Sequence, residues 1–213
     1  MLGLISAGIS AVGSAIGSAC SAIGGAVVST GKVMIDAISR GLPIVEKVCD
    51  IAFTVGKEVG IFSPTHTERD MYELGMRAEG IDSEQFDNNK AFIEHIREKV
   101  ELSKERLEQL DNLSDGDKLK YAAIGSAVTI AAIKEQYKID IPNTFWLTGA
   151  EIGIRSEQVK PMLDEFETAR LKPDLDGFLK GELSSDLHSN IYDLIDNKLD
   201  DLLNDEVMDK LLC

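Results

Sequence analysis

The residues able to do chemistry are few and scattered. The three histidines, His66, His95 and His188, lie far apart, and none stands in an HExxH pattern or four residues from another ligand, so no zinc site is predicted. Cys20, Cys49 and Cys213 make no CxxC pair and are too few for a disulfide framework; reduced thiols are the expectation. The stretch Asp111-Asn112-Leu113-Ser114-Asp115-Gly116-Asp117 has the acid density of a calcium loop. With Gly116 at the sixth position, however, the third is Leu113 and the twelfth Ala122, where a ligand and a bidentate glutamate are needed. Asp174-Leu175-Asp176-Gly177 fails in the same way, and helix-capping turns account for both. A Walker loop, a GxSxG elbow, a dinucleotide fingerprint and a Cys/His pair at family spacing are all missing. The sequence therefore predicts a protein that is not an enzyme and that uses no metal and no cofactor.

Charge narrows the partners. The 37 acidic against 22 basic residues, a net charge of -15, exclude nucleic acid, whose phosphates require a clustered Lys/Arg footprint. The same charge is repelled by anionic lipid headgroups, so contact with a lipid bilayer has to come from apolar segments. Residues 1–31 supply one. They carry no charge, and Gly, Ala, Ser and Thr fill 20 of the 31 positions. Leu2, Ile5, Ile9, Val12, Ile16, Ile23 and Val27, with Ala19 filling the place between Ile16 and Ile23, recur at spacings of three and four, which predicts a helix with one narrow aliphatic stripe.

Around that stripe small residues recur every fourth position, as Gly3-Ala7-Ala11-Ala15-Ala19, Ser6-Ser10-Ser14-Ser18-Ala22-Ala26 and Gly13-Gly17-Ser21-Gly25. Such rows let helix backbones approach closely. Glycine costs up to about 1 kcal/mol per interior helix position relative to alanine, so this segment is a poor isolated helix in water and needs packing or lipid to hold it. It exceeds the roughly 20 residues a membrane span requires, although alanine, glycine and serine drive insertion weakly. Gly3, Gly8, Gly13, Gly17, Gly24 and Gly25 are the candidate insertion and helix-packing residues, with Gly24-Gly25 a hinge that would fold the segment into a hairpin.

Residues 32–62 change character. Ile35, Ile38, Leu42, Val45, Cys49, Ala52 and Val59 form an apolar face opposite Lys32, Asp36, Arg40, Lys47, Asp50 and Lys57, with a kink or restart expected at Gly41-Leu42-Pro43. Lys32, Asp36, Arg40, Lys47 and Asp50 are the candidate pore-lining or interfacial residues. The bland alternative for both segments is burial: a core hairpin, then a solvated charged face.

The remaining chain, 63–213, reads as an acidic helical domain. Thr67 with Asp70 is a capping pair, Gly80 a stop, and Asp87 begins a long charged helix through Phe92, Ile96, Val100, Leu107 and Leu110. Tyr121–Ile133 is a second charge-free stretch, too short to span and expected as a buried central helix. Pro142-Asn143 precedes a short segment with Phe145 and Trp146, and Ser156-Glu157 opens another helix. Ser185–Cys213 reads as one amphipathic helix whose back carries Asp193, Asp196, Asp200, Asp201, Asp205 and Asp209, a solubilising face or a docking surface for a basic partner. No strand-like alternation occurs, so the fold class is all-α: a glycine-zipper helical hairpin or membrane-inserting segment over 1–62, then a multi-helix domain over 63–213.

On Gly3, Gly8, Gly13, Gly17, Gly24 and Gly25 with their interleaved Ala and Ser, the chain resembles the small glycine-zipper pore-forming effectors of the bacterial type VI secretion system. The first charge, Lys32, follows the apolar run, so no cleavable signal is expected. The resemblance implies a toxin made in the bacterial cytoplasm and passed into a target cell. There it would insert as a homo-oligomer and depolarise the membrane, and an immunity or chaperone protein would restrain it in the producer. The alternative from another class is a soluble all-helical interaction or adaptor protein with a buried small-residue hairpin.

Overall fold

Glycines set the first two chain breaks, because a backbone at positive φ cannot continue a right-handed helix. In the computed structural model, which describes the backbone of residues 2–212 and the side chains of residues 11–212, α1 (Leu2–Ile23) stops at Gly24, where φ is 76°. Gly25 follows at φ 53°, and α2 (Gly25–Arg40) runs to Gly41, at φ 122°. Gly41 in turn opens α3 (Leu42–Glu58), with Pro43 in the first turn, where its missing N–H costs nothing. The break therefore falls at Gly24 rather than at the charge boundary of Lys32, and Gly41-Leu42-Pro43 restarts the helix. Gly3 and Gly8 lie in the part of α1 described by its backbone alone, and Cys213 lies outside the described residues.

Downstream, side-chain caps do the punctuation. α4 (Glu68–Ala78) begins with the Thr67 N–H donating to Asp70 Oδ2 at 2.7 Å, the predicted capping pair. The helix expected from Asp87 to Leu110 is instead two, α5 (Asn89–Glu98) and α6 (Lys104–Asp111). Asn88 Oδ1 and Ser103 Oγ accept from the N–H groups of Ala91 and Arg106 to start each one. Between them Arg77 Nη1 donates to the carbonyls of Ile96, Arg97 and Val100, satisfying the end of α5 where a continuing helix would have used those groups itself. Ser114 caps α7 (Asp115–Gln136), and Asp174 caps α10 (Leu175–Leu179) through the Gly177 N–H, so both calcium-like loops serve helix starts.

α8 (Asn143–Ile152) and α9 (Ser156–Ala169) lie between those two caps. The C-terminal stretch is also broken. α11 (Ser185–Leu194) passes through one wide turn at Ile195–Leu199 before α12 (Asp205–Leu212), so the single amphipathic helix is not formed. Asn204 Oδ1 accepts from the Val207 N–H and restarts the chain as α12.

The described residues are all-α, and α7 is their centre. It packs against α1, α2, α3, α4 and α5, and from Ala123 to Ile133 every residue is buried. The expected burial of the charge-free stretch is observed, with Tyr121 also buried. One apolar core runs from Ile16 through Ile124, Trp146 and Phe166 to Leu211. α4 approaches α7 backbone to backbone: a Cβ on Gly75 would lie 2.1 Å from the Tyr121 carbonyl oxygen, and one on Gly125 2.4 Å from that of Met71. Only glycine permits both approaches.

Candidate functional site

The uncharged N-terminal segment and the charged helices after it hold every candidate residue. Within α1, Ile16, Ala19, Cys20 and Ile23 turn inward and are buried, following the stripe read from spacing. Ala11, Ser14, Ser18, Ser21 and Ala22 face outward and are exposed. α1 packs mainly on α2 and α7. Among the described residues no α1 side chain makes a hydrogen bond or ion pair with the body, so apolar contact is what holds this helix.

The small residues do not all serve close packing. A Cβ on Gly13 would meet nothing within 4 Å, and one on Gly17 would lie 3.2 Å from Ile35 Cδ1. Both glycines line an open groove of about 770 Å³ between α1 and α2, together with Ser14, Ser18, Ser21, Ile35, Ile38 and Ser39. The tight α1–α2 approach is at Gly31, where a Cβ would fall 2.6 Å from Cys20 Cβ. Gly24 and Gly25 sit at the pivot under the 82–84 turn: the Gly25 N–H donates to Glu84 Oε1 at 3.2 Å, a carboxylate on the first amide of α2. Burial pushes the Cys20 thiol up to about 11, and burial does the same to Cys49, so both are protonated at neutral pH.

The candidate charged residues divide. All five are exposed, but two of them are tied to α8. Arg40 pairs with Glu151 at 2.5 Å, and Lys47 Nζ donates to the Ala150 carbonyl at 3.2 Å. Lys210 of α12 reaches the neighbouring Ile152 carbonyl at 3.0 Å. Three cations from three helices thus converge on the C-terminal end of α8, where the carbonyls and the helix dipole favour positive charge. In this arrangement Arg40 and Lys47 pin α2 and α3 to α8, leaving Lys32, Asp36 and Asp50 free of that duty.

Sequence reasoning missed the glycines that matter most to packing. Gly31, Gly56, Gly75, Gly125 and Gly177 are the buried close approaches, and only Gly31 belongs to the uncharged N-terminal segment. The signal available was a glycine inside a helix with apolar neighbours on its own face: Met71 and Ala78 beside Gly75, Tyr121 and Val128 beside Gly125. The row-counting that singled out Gly13 and Gly17 weighs spacing and not the neighbour across the interface.

Among the described residues no helix is long and apolar enough to cross a membrane; α1 belongs to them with side chains only from Ala11 onward. No protein-family model, no curated protein and no solved structure matches the chain.

Proposed function

We propose that the chain is a membrane-inserting, pore-forming protein that stores its first helix on an α-helical body in water and releases it into a bilayer. One observation carries the reading: a helix without charge over its whole length, Leu2–Ile23, lies on α2 and α7, and among its described side chains, Ala11 onward, an apolar stripe holds it with no polar tie. At 1.5 Å per residue its 22 residues reach about 33 Å, against roughly 30 Å of hydrocarbon. The exposed rows of Ser14, Ser18 and Ser21, with Gly13 and Gly17 beside them, would then become the helix-packing surface of a glycine-zipper hairpin or oligomer, with Gly24-Gly25 as the pivot. Lys32, Asp36 and Asp50 would meet water or headgroups at its rim. On the likeness to type VI secretion effectors, the target is the membrane of another bacterial cell, the damage is depolarisation, and an immunity or chaperone protein guards the producer.

A second reading has its own support. Ile16, Ala19, Cys20 and Ile23 belong to the shared core, as a permanently soluble interaction protein would require. Gly13→Arg separates the two. Its site is open in the folded protein, so the water-soluble state tolerates the change, whereas an arginine near the middle of a spanning helix costs about 2.5–3.5 kcal/mol of insertion. The expected result is dye release from loaded vesicles by the full chain and its loss in Gly13→Arg, with unchanged melting behaviour. Absence of release by the full chain, or equal release by the variant, rejects insertion of α1 and leaves the soluble reading.

A further inference from the structure

Away from α1, the turn after α7 and the end of α9 border an open cleft of about 580 Å³ lined by Lys138, Ile139, Asp140, Glu167, Arg170 and Lys172. In a chain of net charge -15 this wall holds three cations against two carboxylates. The carboxylates are already engaged. Asp140 Oδ2 is 3.0 Å from Lys172 Nζ, and Glu167 Oε1 accepts the Lys138 backbone N–H at 3.0 Å. Among the described residues neither the Lys138 ammonium nor the Arg170 guanidinium has a hydrogen-bond or ion-pair partner, so two free cations face one cavity.

Arg170 stands there at a conformational cost. It is the residue at positive φ among the described residues that is not glycine, with φ 54° and ψ 36°. The left-handed turn ends α9, with the Arg170 N–H donating to the Glu167 carbonyl at 3.0 Å and the Leu171 N–H to that of Phe166 at 2.9 Å. Glycine is the residue such a turn favours, and α8 ends in one: Gly153, also left-handed at φ 93°. An arginine at the equivalent turn of α9 is less stable than glycine and is consistent with a role for its side chain, which lines the cavity. The guanidinium is a planar fork that matches two oxygens of one phosphate, and an ammonium supplies a point charge for the third.

We infer that this cleft binds a phosphate group, gripped by Arg170 with Lys138 and by Lys172 at its rim. The inference does not rest on the insertion of α1. The phosphate could be a soluble monoester or a lipid headgroup, and the two sources give different results. Calorimetric titration of the full chain at low salt with inorganic phosphate and with glycerol phosphate tests the first. Cosedimentation with phosphatidic acid vesicles, beside phosphatidylcholine vesicles, tests the second.

Arg170→Gly is expected to raise the melting temperature while weakening phosphate binding about tenfold or more; Lys138→Gln is expected to weaken it severalfold without moving the melting temperature. Binding to soluble phosphates without vesicle binding assigns a soluble ligand, and binding to phosphatidic acid alone assigns a headgroup. The inference is overturned if the unaltered chain binds none of these probes, or if both variants bind as it does.

Discussion

α1 and α7 are the two helices with long charge-free runs, and they touch, yet the fold treats them differently. α7 is enclosed by five helices and buried on every side from Ala123 to Ile133; α1 gives up one stripe and leaves a face of serine and alanine in water. Both are rich in small residues. The difference lies in what stands across from the glycines. Gly75 and Gly125 admit backbone carbonyls of the facing helix, which brings α4 and α7 into direct contact, whereas Gly13 faces open space. Small residues permit close approach but do not bring it about. That requires a partner of matching shape and, at α7, helices on all sides to supply the burial that glycine itself lacks.

The largest effect should come from filling the α4–α7 approach. Gly75→Val and Gly125→Val each place side-chain carbon where a main-chain carbonyl now lies, and a backbone cannot yield as the tip of a side chain can. Each is expected to destabilise the fold by more than about 3 kcal/mol, read as a lower urea midpoint or outright insolubility. A loss under about 1 kcal/mol in both would mean that the two helices can separate cheaply, and the contrast with α1 would disappear.

A smaller, pH-dependent effect marks a polar clamp on α7 that has no counterpart among the described side chains of α1. Glu79, just past α4, accepts from Lys120 of α7 at 2.6 Å and from Arg106 of α6 at 2.7 Å. Burial alone would push its carboxyl up, but the hydrogen bonds and charges of Lys120 and Arg106 outweigh burial and hold it below the usual glutamate value. A depressed folded-state value means the clamp stabilises fully above the unfolded glutamate pKa, near 4.3, and that its contribution is lost as pH falls through the folded value. Glu79→Gln should therefore lower stability at neutral pH and flatten the acid limb of a stability-against-pH curve below about pH 4.5. An acid limb identical to that of the unaltered chain would show that the clamp contributes nothing.

What could be read in the sequence follows the same division. The all-α class, the inward stripe of Ile16 and Ile23 and the burial of Tyr121–Ile133 are matters of periodicity and charge, which a single chain displays openly. The Thr67–Asp70 cap was legible because both partners lie within four residues. The split of α5 from α6 was not, because Arg77 comes from another helix to take the carbonyls of Ile96, Arg97 and Val100. Arg40 and Lys47 looked like a free charged face for the same reason: their partners, Glu151 and the Ala150 carbonyl, lie over 100 residues away. Glycine rows were visible, but which glycine meets a neighbour is decided across an interface.

The smallest expected effect is the most direct probe of α1. Gly13→Ala adds a methyl group into open space, so the folded protein loses nothing in packing and gains helix propensity, up to about 1 kcal/mol. Gly17→Ala carries the same propensity gain set against a contact of 3.2 Å with Ile35 Cδ1, the tip of a flexible side chain that can shift by a few tenths of an ångström. Gly13→Ala should then stabilise α1 slightly more than Gly17→Ala, seen as slower amide exchange along the helix with an unchanged global unfolding midpoint. Protection rising only in step with global stability would mean that α1 opens with the rest of the fold. A helix that opens by itself would instead gain protection locally, which release at Gly24-Gly25 requires.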